Sequence, residues 1–397
     1  MTIRLLEQAP ALSAKRVLVR VDFNVPMQDG RITDDSRLRS ALPTIRFLSA
    51  RGATVVLLAH FGRPQGQRVS SMSLRPVVAL LSALLEQPVG FAEDCIGAAA
   101  KTAIDETKTG GIILLENVRF HSGEEANDPA FARELAANGD LYVNDAFSAA
   151  HRAHASTEAI AHLLPAYAGL AMQRELEQLG RVLGTPRRPV MGIVGGAKIS
   201  TKLDLLKNLV SRLDRLAIGG GIANTFLFAQ GWNVGASYCD KDLAPTAREI
   251  IHIAAQKGCE LLLPNDVIVA RTVEQDATFA VRHRGEIRED EHILDAGPGT
   301  VQRLHHALEK SATLIWNGPL GVFETPPFDR GTVKTAKAAA DLTRRGRLIA
   351  VAGGGDTVAA LNQAAVAGDF TFVSTAGGAF LEWMEGKTLP GVAALER

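Results

Sequence analysis

Residues able to grip an anion recur behind short apolar runs in the first half of this 397-residue chain: Asp22-Phe23-Asn24, His60-Phe61-Gly62-Arg63, Asn117-Val118-Arg119 and Asn144-Asp145. Arg37 falls in the first loop region and His151-Arg152 follows the last run. The planar donor fork of arginine matches phosphate or carboxylate bidentately. Arginines brought together from separate strand ends would hold a compact polyanion, with Asp22 and Asn24 placed to meet a hydroxyl. Singly, each would read as a surface ion-pair partner; recurrence after successive runs is what carries the reading.

The second half carries glycines at the equivalent places: Gly195-Gly196-Ala197-Lys198, Gly219-Gly220-Gly221, Asn317-Gly318, Gly353-Gly354-Gly355-Asp356-Thr357 and Gly377-Gly378. Glycine lets backbone approach phosphate closely, and a helix that starts there offers free N–H groups and a positive dipole. The chemistry this implies is nucleotide phosphate binding. Lys198 and Lys202 share a face if their segment is helical, and Asp356 suits Mg²⁺, which takes one or two carboxylates and keeps its waters.

The elements that must position these clusters are strand-length runs rich in Val, Ile and Leu. They are Val17–Val21, Thr54–Ala59, Ile112–Leu115, Leu141–Val143, Val190–Val194, Leu216–Ile218, Leu261–Leu263, Thr313–Trp316, Leu348–Ala352 and Phe370–Val373. Unalternated runs of this kind are strands buried on both faces. Helical stretches such as Leu74–Glu86 and Lys202–Arg212 intervene, which gives parallel sheets wrapped by helices. The expected fold is therefore α/β, with two doubly wound, Rossmann-like domains. Ligands of such sheets lie beyond the carboxyl ends of the strands.

Leu176, Leu179 and Leu183 have helical spacing before a Gly184–Pro189 loop, which reads as an interdomain helix and hinge. The domains are expected at 1–172 and 190–382, with a linker at 173–189 and a cleft between them. Residues 267–295 break the rhythm and suggest a small antiparallel excursion.

Composition removes several classes. Lys plus Arg and Asp plus Glu both total 43, so the chain lacks the basic excess of a nucleic-acid binder. Cys95, Cys239 and Cys259 are too few and too scattered for a disulfide framework or a zinc spacing, which fits a reducing cytoplasm. Met1 to Pro10 does not read as a signal peptide, and no apolar run is long enough to span a membrane. His151 and His154 lack a supporting carboxylate motif for a metal. No G-x-x-x-x-G-K-[ST], G-x-G-x-x-G or protein-kinase signature occurs. A nicotinamide-dependent dehydrogenase therefore loses its fingerprint.

Taken in order, the motifs resemble one family from end to end, the phosphoglycerate kinases. They are Arg20-Val21-Asp22-Phe23-Asn24-Val25-Pro26, His60-Phe61-Gly62-Arg63-Pro64, Glu116-Asn117-Val118-Arg119-Phe120 and Asn144-Asp145-Ala146-Phe147 through His151-Arg152-Ala153-His154-Ala155-Ser156. The second half adds Gly195-Gly196-Ala197-Lys198, Trp316-Asn317-Gly318-Pro319 through Glu324, and Gly353–Thr357. The resemblance implies a phosphotransferase with a carboxyl acceptor, moving a phosphoryl group between 1,3-bisphosphoglycerate and ADP to give 3-phosphoglycerate and ATP. It implies that Asp22, Phe23, Asn24, Arg37, His60, Phe61, Gly62, Arg63, Arg119 and Arg152 hold 3-phosphoglycerate. It implies that Lys198, Lys202, Asn317, Glu324, Gly354, Gly355, Asp356 and Thr357 bind the nucleotide, with Glu324 at the ribose and Asp356 near Mg²⁺. Arg37, Lys198 and the Gly377 helix end are the expected catalytic groups.

A monomer is implied, with small-molecule partners only and no nucleic acid or membrane. Its tail from Trp383 to Arg397 is expected to pack back on the first domain. Ala376, where the family usually has glycine, is expected to crowd one phosphate-facing amide. The alternative on the same fold is a non-catalytic phosphate- or nucleotide-binding protein.

Overall fold

The computed structural model describes residues 3–28 and 30–396, without the side chain of Leu183. Met1, Thr2, Asp29 and Arg397 lie outside the described residues. The chain divides into two compact units, the described residues of Met1–Glu177 with Thr388–Arg397, and Gln178–Lys387.

In the first unit the strands are β1 (Arg16–Arg20), β2 (Met27–Gln28), β3 (Arg31–Ile32), β4 (Thr54–Leu58), β5 (Val89–Ala92), β6 (Ile112–Leu115), β7 (Leu141–Asn144) and β8 (Ala166–Ala168). Six form one sheet in the order β5-β6-β4-β1-β7-β8, and each pair is parallel. β2 and β3 make a short antiparallel hairpin. The central strands are apolar on both faces because helices cover both; Val17, Leu18, Val19 and Val55–Leu58 have no exposure at all. Edge strands β5 and β8 carry too little unbroken apolar sequence to stand out, and the run-based reading misses them.

The second unit contains β9 (Val190–Val194), β10 (Arg215–Ile218), β11 (Glu260–Leu262), β12 (Asp266–Ala270), β13 (Ala280–His283), β14 (His292–Ala296), β15 (Thr313–Asn317), β16 (Ile349–Gly353) and β17 (Phe372–Ser374). Its parallel sheet runs β11-β10-β9-β15-β16-β17. The order turns back between β9 and β15, and such a switch point opens a crevice at the strand ends. The excursion expected at 267–295 is a three-stranded antiparallel sheet, β13-β12-β14.

The helix Leu170–Leu183 begins earlier than its leucine spacing suggests, because Asp145 and Thr44 secure its first turn. Asp145 Oδ1 accepts from the amides of Ala171 and Met172, and Thr44 Oγ1 from that of Leu170. The contact boundary at Glu177 falls inside this helix. The tail also differs from its expected span. Helix Gly377–Met384 groups with the second unit, and the segment grouped with the first begins at Thr388. There, Gly391 donates to Ala150 O at 2.8 Å and Arg4 to Leu395 O at 3.3 Å.

Candidate functional site

In the first unit, the loops leaving β1, β4 and β6 are tied into one network. Arg37 Nη1 lies 2.8 Å from Asp22 Oδ2 and donates to Asn24 O at 2.9 Å. Asp22 also accepts from Ser148 Oγ, and its Oδ1 takes the Asn24 amide at 3.1 Å. Asn24 Oδ1 in turn accepts from Gly62 N at 2.9 Å, and Arg119 donates to Gly62 O at 2.7 Å. Gly62 has φ +61°, and an added Cβ would sit 2.9 Å from Met72 Sδ, so the position favours glycine. Asn117 clamps the same turn, accepting from Phe61 N and donating to Phe61 O.

His60 is buried at the centre of this network. Its Nδ1 lies 2.9 Å from a guanidinium nitrogen of Arg20, which can only donate. The imidazole is therefore an acceptor there, and the Nε2–H is the remaining donor. Burial holds its pKa well below the usual value, and the positive potential of Arg20, Arg119, Arg152 and Arg37 acts the same way. Four arginines from separate segments thus act on one imidazole.

His154 is lowered to about 4 by burial, with Arg119, Arg20 and Arg152 adding to it, and His151 is lowered chiefly by burial. Surroundings this positive suit an anion and disfavour a cation between the two histidines. Arg20 is a member that its place inside β1 conceals. It is almost fully buried and donates through Nε to Ser156 Oγ at 2.8 Å, beside the buried Glu124.

Two of the expected ligand residues turn their rings inward. Phe23 has no exposure and packs in the core, so only its backbone is left for a ligand. Phe61 is half-buried and its ring also packs on that core. Apolar rings in these clusters anchor the loops, whereas Arg63 is exposed and Arg152 half-buried.

In the second unit the glycine loops meet at the switch point. A Cβ on Gly195, after β9, would fall 1.8 Å from Pro319 O, after β15. Asn317 Nδ2 donates to Gly353 O at 2.7 Å, and Gly318 N donates to Thr357 Oγ1 at 2.7 Å. Gly354 has φ +99°, and a Cβ there would be 2.6 Å from Asn317 Nδ2.

Lys198 and Lys202 do not share a helical face. A single 3₁₀ turn, Ile199–Thr201, separates them, and the helix begins only at Leu203. Lys202 points back under the loop, donating to Gly195 O and Asn317 Oδ1, both at 2.6 Å. Its pKa falls to about 8 because it is buried, against an opposing pull from Asp356. Lys198 is exposed, with its ammonium 5.9 Å from the centre of the Tyr238 ring.

A cavity of about 370 Å³ opens beside this frame, lined by Gly196, Gly220, Gly221, Tyr238, Leu320, Val322, Glu324 and Asp356 among others. Its walls combine glycine backbone, apolar side chains and the acidic side chains of Asp295, Glu324 and Asp356, which fits a base, a ribose and phosphates. Asp356 is exposed in the first turn of helix Gly355–Gln363, as an oxygen ligand for a hard cation should be. The apolar wall from Tyr238, Leu320 and Val322 was invisible in the sequence, because such residues read as ordinary core. Gly377 opens helix Gly377–Met384. Ala376 is the residue just before that helix. Its φ is −86°, its methyl is buried, and its amide donates to Ser374 Oγ at 3.2 Å.

Comparison with known proteins bears on the family. The family model described as phosphoglycerate kinase matches residues 7–387. A phosphoglycerate kinase from Caulobacter vibrioides is 66% identical over 396 residues, covering 100% of both chains. One from Sinorhizobium fredii is 59% identical over 397 residues, again covering 100% of both. Among solved structures, phosphoglycerate kinase from Coxiella burnetii superposes with a TM-score of 0.92 at 41% identity, covering 99% of each chain. That from Pyrococcus horikoshii OT3 gives 0.82 at 32% identity, covering 99% of this chain and 98% of its own. With the family match spanning nearly its whole length, the chain belongs to the phosphoglycerate kinase family.

Proposed function

We propose that this chain catalyses the reaction of its family, reversible phosphoryl transfer between 1,3-bisphosphoglycerate and ADP, giving 3-phosphoglycerate and ATP. The observation that carries the reading is the network that sets Arg20 against His60, Arg119 against Gly62 and Arg37 against Asp22 and Asn24, in a fold of this family. Its positive charge is what a small polyanion such as 3-phosphoglycerate needs. Asp22 and Asn24 meet its hydroxyl, and the His60 Nε2–H serves as a further donor. The nucleotide occupies the cavity of the second unit, with Glu324 at the ribose and the glycine loops at the phosphates.

Asp356 would be the protein carboxylate for Mg²⁺ carried in with the nucleotide, and the ion would supply charge neutralisation at the phosphates. The protein's own contribution is alignment and electrostatic stabilisation, since phosphoryl transfer asks for little covalent help. Arg37 and Lys198 flank the phosphoryl group in transit, and the Gly377 helix end faces its oxygens. The acceptor carboxylate is already an anion, so no general base is required. With the two ligands assigned to separate units, turnover includes a closure that brings them into line and expels water.

We place the enzyme in the cytoplasm as a monomer acting on small molecules. Three free cysteines support a reducing compartment. Among the described residues no helix is long and apolar enough to cross a membrane.

A coupled assay of the purified chain with ATP, Mg²⁺ and 3-phosphoglycerate tests the proposal. ADP should form only when all three are present. Lys198→Ala should fold normally and turn over far more slowly. Tight binding of both ligands without ADP formation would make the chain a non-catalytic binder.

A further inference from the structure

The three cysteines have no metal-binding spacing in the sequence, yet the fold gathers a mixed ligand set around one of them. Asp94 and Cys95 lie in the loop between β5 and helix Gly97–Asp105, and His121 follows the 3₁₀ turn Val118–Phe120. A carboxylate oxygen of Asp94, Sγ of Cys95 and a ring nitrogen of His121 all lie within 4.8 Å of one another. We propose that these three side chains form a binding site for a zinc-class divalent cation, with water completing a tetrahedral shell.

The donor types are the N, S and O set that zinc accepts, at bond lengths of about 2.0–2.3 Å. Ligand atoms around such an ion stand about 3–4 Å apart, so small side-chain rotations suffice here. The set is held in place beforehand. His121 Nε2 lies 2.7 Å from Asp94 Oδ1, and its ring stacks on Phe131 with centroids 5.1 Å apart. The amide of Cys95 donates to Asp94 Oδ1 at 2.7 Å, and its carbonyl accepts from Asn138 Nδ2 at 3.1 Å.

Access is from the rim, where the side chains of His121 and Asp94 keep 29% and 33% exposure, while Cys95 is fully buried. Burial raises the thiol pKa, and the neighbouring carboxylates Asp94 and Glu124 raise it further. A cation relieves that negative environment and takes the sulfur as thiolate, releasing its proton to solvent. His121 is two residues beyond Arg119, which donates to Gly62 O. A bound ion would therefore stiffen the turn that carries one of the anion-binding arginines.

Cobalt(II) reports the site directly, because thiolate ligation gives a near-ultraviolet charge-transfer band and tetrahedral geometry gives strong visible bands. Titrating the purified full chain with Co²⁺ should develop both, saturating at about one equivalent, and Zn²⁺ should abolish them. Affinity should rise with pH as the displaced proton becomes easier to lose. His121→Gln, at a partly exposed position, should weaken Co²⁺ binding at least tenfold, and Cys95→Ser should remove the charge-transfer band. Cys239→Ser should change neither. Absence of the band in the unmodified protein, or its persistence in Cys95→Ser, overturns the proposal. So does a His121→Gln chain that binds as tightly as the parent.

Discussion

Arg37 Nη1 and Asp22 Oδ2 stand 2.8 Å apart, so the guanidinium is aimed before any ligand arrives. The Arg37 side chain nevertheless keeps 31% exposure, which leaves donors free for a phosphoryl group. An aimed but unsaturated arginine is suited to charge that develops only during transfer.

Arg37→Ala should accordingly lower kcat on the order of 10²–10³-fold while moving the KM for 3-phosphoglycerate much less. Steady-state kinetics of the purified variant check this. An unchanged kcat would remove Arg37 from the transferring group.

Gly195→Ala should damage the nucleotide site through backbone packing alone. The new methyl would overlap Pro319 O, so the loops after β9 and β15 must separate. A stability loss of about 1–3 kcal/mol is expected, as for overpacking elsewhere. It should come with weaker ADP binding and intact 3-phosphoglycerate binding, which denaturation and calorimetry would separate.

Lys202 should set an alkaline limit on nucleotide use. With its pKa lowered to about 8, the free enzyme loses the ammonium proton as pH rises through that value. The kcat/KM for ADP, which reports the free enzyme, should fall above about pH 8. Bound phosphates favour the charged form, so kcat itself should fall only at higher pH. Lys202→Arg should shift the limb in kcat/KM upward, because arginine stays protonated.

Asp145 should make stability depend on pH near neutrality. Burial lifts its pKa from 3.8 to about 7, against the hydrogen bonds from Thr44, Ala171 and Met172. Between those two values the folded state holds a proton that the unfolded chain has lost, so stability falls as pH rises. Asp145→Asn cannot ionise and lacks this slope. Its stability deficit relative to the parent should therefore be smaller at pH 8 than at pH 5, as chemical denaturation at both would show.

The sequence by itself determined the class of fold and the chemistry at the strand ends. Val17–Val21 and Val190–Val194 are apolar without alternation, and only a strand covered on both faces uses such a run. Charged and glycine-rich clusters directly after such strands announce ligands because the topology delivers strand ends to one edge. Short edge strands such as β5 and β8 carried too weak a pattern, and the start of helix Leu170–Leu183 depended on the distant carboxylate of Asp145.

Only the tertiary structure decided which way side chains point. It turned Lys202 under Gly195 while Lys198 stayed exposed, sank Phe23 into the core, and set Arg20 against His60 from 40 residues away. It also drew Asp94 and Cys95 to His121. The physical reason is the range of the forces involved. Periodicity and turn chemistry act over a few neighbouring residues, whereas burial and charge respond to whatever the folded chain brings close.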